Sequence, residues 1–258
     1  MAPFLTYEDK GPQNATALPL VLIHGHPFDR TMWEPQVAAF SAERRVIVPD
    51  LRGYGASPVV PGITPLSVFA QDVADLLDEL RVPACVLGGL SMGGQIAMEF
   101  LRLFPGRVRG LLLADTSPVA ETPAGKAARA AAADRLLREG MGGYADEVLY
   151  GMVAPYARPE VAAHVHRMMV GTPPEGAAAA LRGRAERPDY RDLLTRVRVP
   201  TLVVVGEDDG FTPLPEAESM HAALPDSALH VVRAAAHLPN LEQPEAFNEA
   251  LAELLTRV

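Results

Sequence analysis

The sequence predicts an α/β fold in which a mostly parallel central sheet carries helices on both faces. Short, continuous apolar runs recur along the chain, as is typical of strands that are buried on both faces. Segments with apolar residues at helical spacing lie between these runs, and this alternation favours parallel strands joined by crossover helices. A chain of 258 residues is long for one domain but lies within the range of such folds.

The first half of the chain supplies four predicted strands, at residues 20–23, 46–48, 84–87 and 111–114. Helices are predicted between them at residues 32–40, 69–80 and 96–104. The second of these has apolar side chains at positions 69, 73, 76, 77 and 80, which is the helical period. Pro105 ends the third, because proline cannot continue a helix.

The alternation breaks between residues 117 and 187, where no strand-like run occurs. This interval is alanine-rich and has helical propensity at residues 127–137 and 177–181. We predict that residues 117–187 form a helical cap inserted into a core domain of residues 1–116 and 188–258. Such a cap would cover the carboxyl edge of the sheet, shape a pocket and exclude water; a helical elaboration packed elsewhere is the alternative. Strands at 201–205 and 229–232 and a helix at 247–258 complete the core.

The charge balance limits the possible partners. Lysine and arginine number 23 against 32 acidic residues, which gives a net charge of −9 and argues against nucleic acid or an anionic membrane as partner. The N-terminal residues lack the basic region and apolar core of a signal peptide, and no apolar run spans a bilayer. The single cysteine, Cys85, lies in an apolar run and is expected to be a buried, inert thiol. We therefore expect a cytoplasmic protein.

The segment Gly89-Leu90-Ser91-Met92-Gly93 fits the pattern G-x-S-x-G, which is typical of a nucleophile elbow. A serine at the point of a sharp strand-to-helix turn has a strained backbone, and its neighbours two residues away need to lack side chains. The turn exposes the hydroxyl above the sheet, beside the free N–H groups of a helix N-terminus. A glycine-rich turn with an incidental serine is the alternative.

Ligands in open α/β sheets bind beyond the carboxyl ends of the strands. A serine nucleophile needs a general base there, and the base needs a carboxylate to hold it in one tautomer. The polar residues at these strand ends include Ser91, a group of carboxylates after the strand at 201–205, and His237. The others are His24, His26, Asp50, Arg52 and Asp115.

With these landmarks the chain resembles the α/β-hydrolase fold, in its serine esterase and lactonase group, from about residue 20 to residue 258. The landmarks are His24-Gly25-His26-Pro27, the loop of residues 50–57, the elbow, the loop of residues 206–213 and the segment of residues 237–244. The order Ser, Asp, His is that of the family. One departure is Ala236, where the family usually has glycine before the histidine.

The resemblance implies a role for each site residue. The family's G-x-x-D-x-x-T-P pattern places the catalytic acid on Asp209, with Asp208 and Asp115 as alternatives. His237 is the expected base, since it alone among the histidines follows the last strand in a loop beside the elbow. The backbone N–H groups of Met92 and His26 are the expected oxyanion hole.

The remaining landmark residues have expected structural roles. The resemblance makes His24 a structural residue. It makes Asp50 and Arg52 loop residues that bond the backbone, although a charged substrate site is the alternative reading.

The expected activity is that of a cofactor-independent, metal-free serine hydrolase, which cleaves small-molecule carboxylic esters through an acyl-enzyme on Ser91. Residues 169–176 and 191–194 resemble stretches of 3-oxoadipate enol-lactonases, so a lactonase is the nearest alternative. A cap arginine that faces the pocket, among Arg129, Arg135, Arg158 and Arg167, would support it. Carbon–carbon bond hydrolases, perhydrolases and a non-catalytic receptor are less favoured. Ser91 itself disfavours the relatives that use an aspartate nucleophile.

Overall fold

The computed structural model describes residues 4–13 and 16–258 of the chain. Within these residues seven strands form one sheet, in the order β1-β3-β2-β4-β5-β6-β7. The strands are β1 (Tyr7–Lys10), β2 (Leu20–Ile23), β3 (Val46–Pro49), β4 (Cys85–Leu90), β5 (Val108–Ala114), β6 (Thr201–Gly206) and β7 (Ser227–Val232). All six strands predicted from the sequence are present, so the predicted α/β class is confirmed.

Every neighbouring pair of strands is parallel except β1 and β3, which are antiparallel. Strand β1 was not predicted, because its sequence Tyr-Glu-Asp-Lys is polar and lies at the edge of the sheet. The elbow strand β4 lies between β2 and β5, where Leu22 pairs with Gly88 and Leu113 with Gly89. The loops that follow β2 and β5 therefore flank the elbow.

The longer helices of the core are α1 (Glu34–Phe40), α2 (Leu66–Glu79), α3 (Met92–Leu103), α9 (Leu214–Ala223) and α11 (Pro244–Leu255). Two short helices, α8 (Arg191–Leu194) and α10 (Pro239–Glu242), also belong to it. The predicted helix at 32–40 is present as α1, which begins two residues later and is preceded by a 3₁₀ turn, Arg30–Trp33. Helix α3 begins four residues earlier than predicted, immediately after Ser91.

Apolar side chains of each central strand alternate between two buried clusters, one on each face of the sheet. Val21 and Ile23 belong to one cluster, whereas Leu20 and Leu22 belong to the other. The same alternation holds along β5 and β6. Burial on both faces explains why these strands have continuous apolar sequences rather than alternating ones.

Four helices lie between β5 and β6: α4 (Pro123–Glu139), α5 (Gly142–Met152), α6 (Pro159–Gly171) and α7 (Pro174–Ala185). Helices α4 and α7 contact each other and share a small apolar cluster that includes Leu136 and Leu181. Helices α5 and α6 place Met152 and Met169 in one of the two core clusters of the sheet. None of the helices in the described part of the chain is long and apolar enough to cross a membrane. The division into a core and a cap domain stays a prediction.

Candidate active site

Ser91 lies at the sharp turn between β4 and α3, with φ 56° and ψ −116°. This left-handed conformation is unfavourable for a residue with a Cβ, at a cost of about 1–3 kcal/mol. A Cβ added to Gly89 would collide with the backbone oxygen of Gly93, and one added to Gly93 would collide with the backbone oxygen of Ile23. The pattern G-x-S-x-G is therefore required by the close approach of β4, α3 and the end of β2.

The backbone of Ser91 is fixed by hydrogen bonds to β5 and the loop after it. Its N–H donates to the carbonyl of Ala114 at 2.9 Å, and its own carbonyl accepts from the hydroxyl of Thr116 at 2.7 Å. Thr116 also lies where a Cβ on Gly94 would be. These contacts hold the strained turn and the backbone of Ser91 in place.

Asp209 and His237 form a buried pair. Nδ1 of His237 donates to Oδ2 of Asp209 at 2.8 Å, and the Asp209 and His237 side chains are almost completely buried. The N–H of Phe211, at 2.8 Å, and the hydroxyl of Thr212 also donate to the Asp209 carboxylate. Burial opposes ionisation of Asp209, but the hydrogen bond and charge of His237 and these other donors outweigh it and lower its pKa to about 2. Asp209 is thus a carboxylate that fixes the tautomer of His237.

The two alternative carboxylates, Asp208 and Asp115, form no hydrogen bond with His237. Asp208 accepts a hydrogen bond from the hydroxyl of Tyr156 at the surface. Asp115 is buried beside the pair, where its Oδ1 accepts from the N–H of Gly206 at 2.8 Å and its Oδ2 has no partner among the described residues. Burial and the charge of Asp209 raise the pKa of Asp115 well above its usual range. The two carboxyl groups are therefore shifted in opposite directions, Asp115 towards the neutral acid and Asp209 towards the carboxylate.

Asp115, Asp209 and His237 are also the one metal-compatible cluster within residues 4–13 and 16–258, with ligand atoms within 4.8 Å of one another. Nδ1 of His237 and Oδ2 of Asp209 are occupied by their mutual hydrogen bond, and a metal would have to displace it. These residues therefore fit a hydrogen-bonded acid–base pair better than a metal site.

Ser91 and His237 line the same cavity of about 370 Å³. No hydrogen bond joins their side chains in this structure, and Ser91 Oγ has no other partner in the described part of the chain. Catalytic hydrogen bonds of free enzymes are often long and tighten when substrate binds. The ring of Phe211, which is half exposed, packs edge-on against His237 with centroids 5.2 Å apart.

The two predicted oxyanion donors flank the serine. Met92 is the first residue of α3, and His26 lies in the loop after β2. Neither N–H donates a hydrogen bond to any residue that the structure describes. Nδ1 of the His26 ring lies 2.7 Å from the hydroxyl of Tyr54. Burial and the nearby charges of Arg184 and Arg129 hold the pKa of His26 well below its usual range, so its ring is neutral.

Glu242 connects the base to the helices between β5 and β6. Its buried carboxylate accepts from the N–H of Ala236 at 2.9 Å and from the N–H of Ala154 at 2.8 Å. Ala236, the departure from the family's glycine, lies directly before His237 and is accommodated without a positive φ. The loop of the base is therefore anchored to the end of α5.

Three arginines line the cavity, and sequence reasoning named only one of them. Arg129 of α4 was among the candidates, whereas Arg184 of α7 and Arg187 just after it were not. The other candidate arginines, Arg135, Arg158 and Arg167, lie at the surface away from the cavity. Isolated arginines in an alanine-rich helical segment carry no local signal of which face they occupy.

Three other landmark residues have structural roles. Nε2 of His24 accepts from the N–H of Leu51 at 2.9 Å, as the resemblance implied. Asp50 accepts from the backbone of Arg30 and Ala56, as expected. Arg52 differs from the expectation, because its guanidinium pairs with Asp72 of α2 rather than with the backbone. Neither Asp50 nor Arg52 lines the cavity.

Comparison with known proteins identifies the family of the chain. A model of the alpha/beta hydrolase family matches residues 20–250. A 3-oxoadipate enol-lactonase of Acinetobacter baylyi is 32% identical, over 94% of this chain and 90% of the relative. A thermophilic esterase from Thermogutta terrifontis, solved with malate bound, superposes with a TM-score of 0.94 at 43% identity, covering 98% of this chain and 93% of its own. The enol-lactonase of Burkholderia xenovorans gives a TM-score of 0.90 at 28% identity, covering 98% and 96%.

Proposed function

The chain belongs to the alpha/beta hydrolase family, and we propose that it hydrolyses small-molecule carboxylic esters through an acyl-enzyme formed on Ser91. The observation that carries the mechanism is the buried Asp209–His237 pair, whose histidine lines one cavity with a serine held at φ 56°. That arrangement matches what a serine nucleophile requires: an oriented base and a hydroxyl that borders the cavity.

In the first half of the reaction, Oγ of Ser91 attacks the carbonyl carbon while Nε2 of His237 takes the hydroxyl proton. The negative charge passes to the carbonyl oxygen, where the N–H groups of Met92 and His26 stabilise it. Each such donor is typically worth about 10²–10³ in rate. The tetrahedral intermediate collapses, and the leaving alcohol takes its proton from His237.

In the second half, His237 takes a proton from water, and the resulting hydroxide attacks the acyl carbon. The second tetrahedral intermediate releases the carboxylic acid, and His237 returns the proton to Ser91. Asp209 keeps its negative charge throughout and stabilises the imidazolium, because its pKa of about 2 is far below neutral pH. No step requires a cofactor or a metal ion.

A lactonase is the second candidate, supported by the enol-lactonases among the relatives and by the arginines of the cavity. A lactone reacts by the same steps, except that the alcohol stays attached to the acyl chain. Water then has to reach the acyl carbon before that hydroxyl closes the ring again. Hydrolysis of either an ester or a lactone would therefore depend on Ser91, His237 and Asp209.

The proposal is tested by hydrolysis of p-nitrophenyl acetate. We expect wild-type turnover, and a loss of at least about 10⁴-fold in Ser91→Ala, because the oxyanion hole alone leaves only a small residual rate. Ser117→Ala is a matched control, since Ser117 lines the same cavity without a proposed catalytic role. Equal rates for wild type and Ser91→Ala would refute the assignment.

We also propose a cytoplasmic location, which the single, buried cysteine supports. Fractionation of the source cells would test this, with activity in the membrane or extracellular fraction counting against it.

A further inference from the structure

Arg184 is a buried cation in the candidate active site. The residue is 8% exposed, yet its side chain lines the cavity that contains Ser91. Its Nε donates to Oε1 of Gln95 at 3.1 Å. The two Nη atoms donate to no residue that the structure describes, and both keep some accessible surface. Two strong donors are therefore left for a ligand.

The charges around Arg184 do not balance it. Arg129 and Arg187 both pair with Oε2 of Glu121, at 2.5 and 2.8 Å. Glu216 is the other carboxylate lining the cavity, and it forms no ion pair with a described residue. Burial and the charges of Arg129 and Arg187 lower the pKa of Arg184 to about 9, which still leaves the guanidinium charged at neutral pH.

An unpaired buried charge is costly, because water no longer solvates it. Proteins keep such groups mainly where a ligand or a partner supplies the opposite charge. Arg184 therefore has no paired counter-ion among the described residues, and a ligand could supply one.

Gln95 places this cation close to the nucleophile. Its N–H donates to the carbonyl of Ser91 at 3.2 Å, and both residues line the same cavity. Since Oε1 of Gln95 accepts from Arg184, its Nε2 is turned to donate, and it has no acceptor within the described ranges. The Arg184 guanidinium and the Gln95 amide thus offer hydrogen-bond donors in the cavity that Ser91 also lines.

We propose that Arg184 and Gln95 bind a carboxylate of the substrate, and that the enzyme acts on esters or lactones that carry a carboxylate group. This inference rests on the proposed function, because it assigns the substrate class of the same site. A planar guanidinium matches a carboxylate in geometry and offers one positive charge for its one negative charge.

The kinetic test compares p-nitrophenyl hydrogen glutarate with p-nitrophenyl pentanoate, its uncharged analogue. The quantity compared is kcat/KM for the glutarate ester divided by kcat/KM for the pentanoate ester. In Arg184→Met we expect this ratio to fall about 10–100-fold, because the charge-assisted hydrogen bonds to the carboxylate are lost. The fall should come from a higher KM for the glutarate ester. A second arm uses 4-acetoxybutanoate, whose carboxylate lies on the alcohol side. A fall on either arm supports the subsite, and no change on both arms overturns it.

Two further variants control this comparison. Arg182→Met removes a surface arginine of the same helix, which pairs with Asp134, and should leave the ratio unchanged. Arg184→Lys keeps the charge but loses the planar fork, so it should recover only part of the ratio. A fully active Lys variant would overturn the bidentate geometry. We expect Arg184→Met to fold, because it removes an uncompensated buried charge.

A binding measurement separates this inference from the proposed function. Glutarate should raise the Tm of Ser91→Ala, which cannot turn over, and should not raise the Tm of Ser91→Ala/Arg184→Met. Ester hydrolysis by wild type without glutarate binding would overturn the subsite alone, whereas glutarate binding without hydrolysis would overturn the catalytic proposal alone. Stronger protection by inorganic phosphate than by glutarate would overturn the carboxylate assignment.

Discussion

At the scale of single residues, two buried aspartates beside His237 behave in opposite ways. Asp209 accepts hydrogen bonds from His237, Thr212 and the N–H of Phe211, which lower its pKa to about 2. Asp115 accepts one backbone N–H and is buried next to that charge, so its pKa is raised. Two carboxylates close together rarely both ionise, and the number of donors decides which one keeps the charge.

This difference predicts the acid of the triad. Asp209→Asn should lower kcat by about 10⁴-fold with little change in KM, because the amide would favour the wrong tautomer of His237. Asp115→Asn preserves the acceptor for the N–H of Gly206 and should cost less than tenfold. Steady-state rates of both variants with p-nitrophenyl acetate measure this. A larger loss in Asp115→Asn would transfer the role of the acid to Asp115.

Asp115 also predicts how stability changes with pH. Its pKa is raised in the folded protein, so folding retains a proton that the unfolded chain loses above its usual pKa of about 4. Stability should therefore fall as pH rises from about 4 towards the folded pKa. Asp115→Asn removes this dependence and should have the higher Tm at pH 7, with no advantage below about pH 4. Equal Tm values at both pH values would contradict the raised pKa.

Sequence motifs predicted strand-end positions for Ser91, Asp209 and His237, which follow β4, β6 and β7, because each loop has its own pattern of glycine, proline and threonine. They could not place Arg184. A side chain on an inserted helix faces the cavity only through the packing of that helix, and nothing in its neighbouring residues records that packing. Substrate recognition was for this reason less predictable than the chemistry.

At the scale of elements, the elbow depends on the close contact of α3 with β2. Gly93→Ala would drive a Cβ into the backbone oxygen of Ile23. We expect a loss of about 1–3 kcal/mol of stability from overpacking, which lowers Tm by several degrees, together with reduced activity. Gly106→Ala is the control, since nothing lies within 4 Å of its added Cβ. Equal Tm values in thermal unfolding would show that the elbow tolerates a side chain.

Helix α7 is held against the core by a second close backbone contact. A Cβ on Gly183 would collide with the carbonyl of Thr64, whose N–H donates to Ala179 at 3.0 Å. Gly183→Ala should therefore displace α7 and move Arg184, which raises KM for the glutarate ester more than for the pentanoate ester. Gly171→Ala, with no atom within 4 Å of its added Cβ, should leave both KM values unchanged. An unchanged KM ratio in Gly183→Ala would show that α7 does not position Arg184.

The elements that sequence reasoning missed share a cause. Strand β1 is polar and pairs only along one edge, so no apolar run marks it. The first turn of α3 contains Gly93 and Gly94, which have low helix propensity, yet tertiary contacts with Ile23 and Thr116 require them. Tertiary packing outweighs local propensity at both places.

At the scale of the whole molecule, residues 117–187 share their core with the sheet. Met152 and Met169 belong to one cluster of the sheet, Ala180 belongs to the other, and only α4 and α7 form a cluster of their own. We predict one cooperative thermal transition by calorimetry, because unfolding these helices would expose the sheet's own apolar surface. Two resolved transitions, with the lower one removing activity, would show that the cap is an independent unit.

The claim at the centre of this account is that Ser91 carries the acyl group. The direct test is the intact mass of the protein after reaction with a sulfonyl fluoride, followed by mapping of the modified peptide. We predict a single adduct on Ser91 in the wild type, and none in Ser91→Ala under the same conditions. An adduct on another residue, or unmodified wild-type protein that still hydrolyses esters, would contradict the mechanism.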